Sequence, residues 1–334
     1  MRFGLSAVFF GALLLPVAAG AQSLGGLGGG IISEAPFTLS VTPQYPSPYG
    51  QAYVSVYSNS LNLANATLTV SVNGQQTYSG SVHAFPVQLG AAGTVTDVRA
   101  TLSSAGMTYL QILPVQPEDV ALIAEPISSS PPMYPGKSLP PLDGNVRFVA
   151  VANLRSANGK ASSPATYAYS WTVDGVQMSD SSGIGKSSII VPAPLEYRNS
   201  EVSVTVTDAT GSILGGDSLS YSALPPSMRI YENDPLLGLR YAHALSGNYT
   251  INGTESTLYA APFSLPITNG APLVQWFLNG SAVQTGTSVT LRPTGSGQGS
   301  ANLSAVASGD QSTTASTNLS LIFGASPSTN FFGL

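Results

Sequence analysis

Residues 169–175 read YSWTVDG and residues 275–280 read QWFLNG, and a fainter copy, LTVSVNG, lies at 68–74. The glycines Gly74, Gly175 and Gly280 are 101 and 105 residues apart, and an apolar residue stands four positions before each: Val70, Trp171 and Trp276. A period near 100 residues restricts the chain to three similar units in series. Each copy pairs a residue suited to a core with Asn-Gly or Asp-Gly, the residues that accept the positive φ of a tight hairpin.

The flanking segments say what the units are made of. AYVSVYS, TVTDVRATL, VRFVAVA, EVSVTVTD, SANLSAV and TNLSLIF alternate apolar and polar residues and are rich in Val, Thr and Tyr, the pattern of half-buried strands. Beyond residue 21 no stretch holds a 3.6-residue apolar stripe for three turns, so the expectation is an all-β protein. One strand-like run precedes each glycine by 20 to 30 residues and another follows it by about 25, with the Trp strand between them. That order predicts three tandem Ig-like β-sandwich modules of roughly 100 residues each, with Trp171, Trp276 and Val70 in their cores.

Proline sets the expected boundaries, because it lacks the ladder donor and restricts its predecessor. PVQPEDV at 114–120 and ALPPSM at 223–228 divide the chain into modules at 36–117, 118–224 and 225–324. Residues 1–21, with Arg2 ahead of an apolar run and Ala19-Gly20-Ala21 at its end, read as a signal peptide cleaved before Gln22. A Gly-rich linker follows at 22–35, and the tail at 325–334 ends in the apolar NFFGL. No other run approaches the ~20 apolar residues of a membrane span, so the processed chain is expected outside the cytoplasm, in the periplasm, at the cell surface or secreted.

Charged residues make up 8% of the 334, against roughly a quarter in ordinary soluble domains, and the net charge is −5. A phosphate backbone would be repelled and no basic cluster exists to release its counterions, which excludes nucleic acid as a partner. The absence of cysteine removes disulfides and thiolate chemistry and favours a bacterial exported protein over a secreted animal one. Asn65, Asn248, Asn252, Asn279, Asn302 and Asn318 stand in N-x-S/T triplets, which matter only in a glycosylating host.

YSWTVDG followed by VSVTVTDATG at 202–211 resembles the PKD-type Ig-like module, whose pattern runs Tyr-x-Trp, a turn, then alternating Val/Thr ending in Asp and Gly. The third unit keeps the Trp and the turn, and the first has Val70 in place of Trp. The whole layout is also similar to exported three-module proteins of candidate-phyla bacteria. The resemblance implies spacing, adhesive or carbohydrate-associated roles at the cell surface and no catalytic residues.

The residues themselves point to no reaction. His83 and His243 lie in different modules without an acid at ligand spacing, no G-x-S-x-G elbow occurs, and no cofactor motif is present. The carboxylate pairs Glu118/Asp119 and Glu232/Asp234 fall at module boundaries, where capping roles are common. Glu125 and Glu232 stand 46 and 44 residues before their tryptophans. They are expected to accept backbone donors in the inter-module turns as a structural hinge, with inter-module calcium as the alternative. Tyr45, Tyr49, Tyr53 and Tyr57 form the densest aromatic stretch and a possible contact face. The functional expectation is a non-enzymatic exported scaffold or adhesin-like binding protein of the bacterial envelope, with an envelope protein or glycan as partner. The alternatives are an accessory subunit of a pilus or secretion machine, for which the tail is a docking element, and an accessory of a polysaccharide-acting enzyme.

Overall fold

A computed structural model describes residues 36–251, 254–267, 270–294, 298–310 and 313–324. Residues 1–21, expected to be a signal peptide, the expected Gly-rich linker at 22–35, Asn252 and the tail at 325–334 lie outside the described residues. The regular structure of the described residues is almost entirely strand, arranged as three successive two-sheet sandwiches.

In the first module the strands are β1 (Thr38–Thr42), β2 (Gln51–Tyr57), β3 (Thr67–Val72), β4 (Gln75–Ser81), β5 (Phe85–Gln88), β6 (Thr96–Ser104) and β7 (Met107–Val115). One sheet runs β1-β2-β5 and faces another of order β4-β3-β6-β7. The second module has β8 (Asp119–Pro126), β9 (Asn145–Asn153), β10 (Ala168–Val173), β11 (Val176–Gln177), β12 (Gly183–Ile184), β13 (Ser188–Pro192), β14 (Asn199–Thr207) and β15 (Leu214–Ser222). Its sheets, β13-β9-β8 and β11-β10-β14-β15, repeat the same order.

The third module comprises β16 (Ser227–Asp234), β17 (Gly238–Leu239), β18 (Asn248–Ile251), β19 (Ser256–Phe263), β20 (Leu273–Leu278), β21 (Ser281–Thr285), β22 (Ser288–Leu291), β23 (Gly299–Ser308) and β24 (Thr314–Phe323). Here the sheets are β17-β16-β19-β22 and β18-β24-β23-β20-β21. The added β18 pairs parallel to β24 and covers the edge that the equivalent strands of the other modules leave open.

Each module has its own core, because alternation sends every second side chain of both sheets inward. In the first, Val70 is buried among Val54, Leu68, Val98 and Leu102. In the second, Trp171 lies with Phe148, Tyr167, Val204 and Ile189, and in the third Trp276 lies with Ile230, Leu258, Leu303 and Leu319. The indole N–H of Trp171 donates to the Lys186 carbonyl at 2.8 Å and that of Trp276 to the Gly286 carbonyl at 2.9 Å. Both carbonyls lie just ahead of the next strand of the facing sheet, so each Trp is satisfied in the same way.

The recurring Asn-Gly and Asp-Gly pairs follow from one geometry. Asn73, Asp174 and Asn279 have φ of 49°, 49° and 48°, and the glycines after them 82°, 79° and 83°. A Cβ on any of these glycines would meet nothing within 4 Å, so the backbone angle alone demands Gly. The Asx side chain has a further task. Asn73 Oδ1 accepts the Asp97 amide at 2.9 Å, Asp174 Oδ1 the Glu201 amide at 2.8 Å and Asn279 Oδ1 the Asn302 amide at 2.8 Å. In return, the three Asx amides donate to the carbonyls of Asp97, Glu201 and Asn302. The repeated phrase therefore fastens one hairpin turn to a neighbouring strand three times over.

Candidate functional site

Two joints bring side chains and main chain of neighbouring modules together. At the first, the loop between β1 and β2 carries Tyr45, whose hydroxyl shares a 3.2 Å hydrogen bond with Thr205 Oγ1 of β14. A Cβ on Gly216 of β15 would lie 2.5 Å from the Tyr45 ring, so only glycine lets the ring settle there. Glu118 is 5% exposed. Its carboxylate accepts the Arg155 amide and the Gln116 side-chain amide, each at 2.8 Å. Burial pushes the Glu118 carboxyl above its ordinary range, against the opposing pull of those two donors. Gly93 of the first module, with φ of 82°, lies so near the Arg155 and Ser156 carbonyls that a Cβ would come within 2.6 and 2.7 Å of them.

The second joint uses main chain. The long loop between β8 and β9 leaves its own module and crosses to the third. Ser129 donates its amide to the Leu265 carbonyl at 2.8 Å, accepts the Ser264 amide at 3.2 Å, and takes the Leu265 amide on its hydroxyl at 3.1 Å. Further along the loop, Tyr134 meets Tyr241 and Phe263 edge to face, with ring centroids 5.6 and 5.1 Å apart. Tyr241 donates to the Pro132 carbonyl at 2.8 Å, and burial, with Tyr259 and Tyr231 beside it, pushes its phenol up to about 12. Tyr231, Tyr259, Ala261 and Phe263 form a second cluster on the outer face of the β16–β19 sheet, which explains why β19 is buried on both faces.

Glu125 and Glu232 correct the expectation placed on them. Each sits within one module and faces a guanidinium: Glu125 meets Arg147 at 3.5 Å on the neighbouring β9, and Glu232 meets Arg240 at 3.4 Å while accepting the Tyr249 hydroxyl. Neither takes a backbone donor of an inter-module turn. Strand alternation is the reason for Glu125, since positions 119, 121, 123 and 125 of β8 point to solvent. The carboxylate that does serve a joint is Glu118, which directly follows Pro117 at the module boundary. Asp234 caps a turn, accepting the amides of Leu236 at 2.8 Å and Leu237 at 2.9 Å. Those bonds hold its carboxyl below the ordinary range. Among the described residues, no group of three or more His, Asp or Glu side chains is placed to hold a metal ion.

The four tyrosines do not form one face. Tyr53 and Tyr57 share the outer side of β2 and Tyr49 is exposed in the preceding loop, whereas Tyr45 belongs to the first joint. Beside Tyr45, a cleft of about 360 Å³ is lined by Gln44, Glu201, Thr205, Asp217 and Ser218. It presents amide, hydroxyl and carboxylate groups against an aromatic ring. Four triplet asparagines, Asn248, Asn279, Asn302 and Asn318, line one open depression of about 460 Å³ on the third module. His83 is exposed against Tyr78, with ring centroids 4.6 Å apart.

No protein-family model matches the chain, and no curated protein matches it. Among solved structures it is similar to three N-terminal domains of the highly immunogenic outer capsid protein of bacteriophage RB49, at 12% identity, covering 87% of this chain and 99% of that one with a TM-score of 0.25. Fibronectin(III)-like modules of Clostridium thermocellum CbhA match at 9% identity over 59% of this chain and 95% of theirs, with a TM-score of 0.23. The central fibronectin-III array of RIM-binding protein matches at 10% identity over 87% and 97%, with a TM-score of 0.29. The fold stands on the strand order and pairing given above. Among the described residues, no helix is long and apolar enough to cross a membrane.

Proposed function

We propose that this chain is a non-enzymatic scaffold of the bacterial envelope, exported through residues 1–21, whose three sandwiches hold binding surfaces in fixed relation to one another. The observation that carries this reading is the second joint. A loop pairs its main chain with the next module and buries an aromatic cluster there, far more than a tether between independent modules needs. Such a joint sets an orientation. Solution scattering from residues 22–334 tests the reading: one fixed arrangement should fit the data, and a need for many orientations about residues 222–227 would refute it. Export is tested separately by fusing residues 1–35 to a reporter without a leader of its own, which should then leave the cytoplasm.

Glycan contact is the second reading, favoured by the cleft beside Tyr45. Its mixture of Gln44, Thr205, Glu201 and Asp217 supplies donors and acceptors for sugar hydroxyls next to a ring face. Binding on an array of bacterial envelope glycans, lost with Glu201→Ala, is the outcome that would raise it above a purely spacing role.

A further inference from the structure

The loop between β1 and β2 that sets Tyr45 on the second module also carries Tyr49, and Tyr49 lines a different cleft. This cleft, of about 710 Å³, opens between the first two modules. Tyr49 and Thr94 line it from the first module, and Asp119, Asn153 and Arg155 from the second. It shares no lining residue with the cleft beside Tyr45.

Tyr49 is held in a conformation that its residue type resists. Ser47, Pro48, Tyr49 and Gly50 form a turn closed by the Gly50 amide on the Ser47 carbonyl at 3.1 Å. Proline suits the second position, but the third has φ of 58°, a region that Gly and Asn enter readily and a bulky aromatic does not. Two bonds fix it there: its amide donates to the Gly90 carbonyl and its carbonyl accepts the Gln88 side-chain amide, each at 2.7 Å. The ring is nevertheless 73% exposed. A turn alone would be served better by glycine, so what this backbone achieves is to present a rigidly placed aromatic face to the cleft.

The opposite wall holds a guanidinium with donors to spare. The main chain of Arg155 is tied into the joint, its amide on Glu118 at 2.8 Å and its carbonyl accepting the Gln116 side-chain amide at 3.1 Å. Its side chain spends one N–H on the carbonyl of Gly159, itself part of the cleft wall, at 3.1 Å and makes no salt bridge among the described residues. Glu118 feels its charge, but the two Glu118 oxygens are taken by the Arg155 amide and by Gln116. The remaining N–H groups form the planar fork that fits a carboxylate. Asp119 and Asn153 face each other on β8 and β9, with the Asn153 amide 3.4 Å from the Asp119 carboxylate. That carboxylate keeps further lone pairs for hydroxyl donors.

We infer that this inter-module cleft binds a uronate unit of an acidic polysaccharide, with the sugar carboxylate on Arg155, the sugar ring against Tyr49 and sugar hydroxyls donating to Asp119. Each wall excludes a simpler ligand. A neutral sugar leaves the Arg155 fork unused, whereas a densely charged polyanion sets a second negative group against Asp119. One carboxylate among hydroxyls on an apolar-faced ring satisfies all three groups. The site lies at the first joint, so it stands or falls independently of the orientation set at the second joint and of glycan contact beside Tyr45.

Titration calorimetry on residues 22–334, which contain every described residue, tests it with three uronate polymers: polygalacturonate, alginate and hyaluronan. At least one should bind, and its methyl ester, which keeps the ring and hydroxyls but loses the charge, should bind about tenfold or more weakly. Arg155→Gln and Tyr49→Asn should each weaken binding to a similar degree, with the melting temperature of the parent retained, since asparagine accepts the positive φ and the Arg155 contacts to the joint are main chain. Arg155→Lys, which restores the charge without the fork, should recover part of the affinity. Failure of all three polymers to bind overturns the inference, as does equal binding of acid and ester. Binding that survives Arg155→Gln and Tyr49→Asn but is lost with Glu201→Ala overturns it as well, assigning the sugar to the cleft beside Tyr45. Displacement of the polymer by inorganic phosphate at equal concentration would overturn it in favour of a simple anion site.

Discussion

Asp174 and Glu201 hold each other by two reciprocal bonds, the carboxylate of Asp174 taking the Glu201 amide at 2.8 Å and the Glu201 carbonyl taking the Asp174 amide at 2.9 Å. The Ser200 hydroxyl adds a third bond to the same carboxylate at 2.8 Å. In the first and third modules an asparagine makes the equivalent reciprocal pair. Replacing Asp174→Asn should therefore keep the turn, whereas Asp174→Ala should cost about 1 kcal/mol by removing the acceptor. The Glu201 amide and then the Ser200 hydroxyl hold the Asp174 carboxyl below its ordinary range. Its contribution is present above the unfolded value near ~3.9 and is lost as pH falls through the folded one. Denaturant melts from pH 2 to 6 should show a shallower acid limb for Asp174→Asn than for the parent.

Trp171 and Trp276 fill the centres of their cores and spend their only donors on buried-side carbonyls. Trp171→Ala and Trp276→Ala should each destabilise their own module by about 3–5 kcal/mol through the cavity left behind. Calorimetry reads this as a lowered transition for the affected module. A change under about 1 kcal/mol would be incompatible with the packing described.

Glu118 has the opposite pH behaviour from Asp174. Burial raises its carboxyl despite the Arg155 and Gln116 donors, so its contribution is full below the unfolded value near ~4.3 and lost as pH rises through the folded value. Relative to Glu118→Gln, the parent should lose stability across that window and then level off. Paired unfolding curves from pH 4 to 8 measure the difference. A parent that gains on the variant with rising pH would show that the two donors outweigh desolvation.

Tyr134→Ala removes the two edge-to-face contacts that the β8–β9 loop makes with the third module, at a cost of about 1–3 kcal/mol. The loop should then be cut faster by protease within residues 130–138. Cleavage rates equal to the parent's would mean that the serine pairings alone hold the loop.

What the sequence discloses and what it hides divide along a physical line. The Trp strand, the Asx-Gly turn and the alternating runs are local: their geometry is decided within a few residues, and the all-β tandem arrangement can be read from them. Tyr45 and Tyr134 were not readable in the same way. A Pro- and Ser-rich loop advertises an irregular path but not its landing place, and Gly216, the residue that admits Tyr45, lies 171 positions further on. Glu125 shows the converse error. Its spacing matched that of Glu232, yet spacing along the chain says nothing of which side of a strand a carboxylate takes once the alternation is fixed. Glu118, buried between Gln116 and Arg155, took its place from a fold-dependent contact.

β19 is enclosed on one side by its own module and on the other by the aromatic cluster that the β8–β9 loop completes. That enclosure bears on inheritance. A gene fragment beginning near residue 225 and carried into another protein would leave Tyr231, Tyr259 and Phe263 without Tyr134, an apolar sheet face of the kind that recruits foreign chains. Recombination that preserved solubility would have to move the second and third sandwiches as a pair. The first, joined through side chains and two close-packed glycines, is the one that could be exchanged by altering a handful of contact residues.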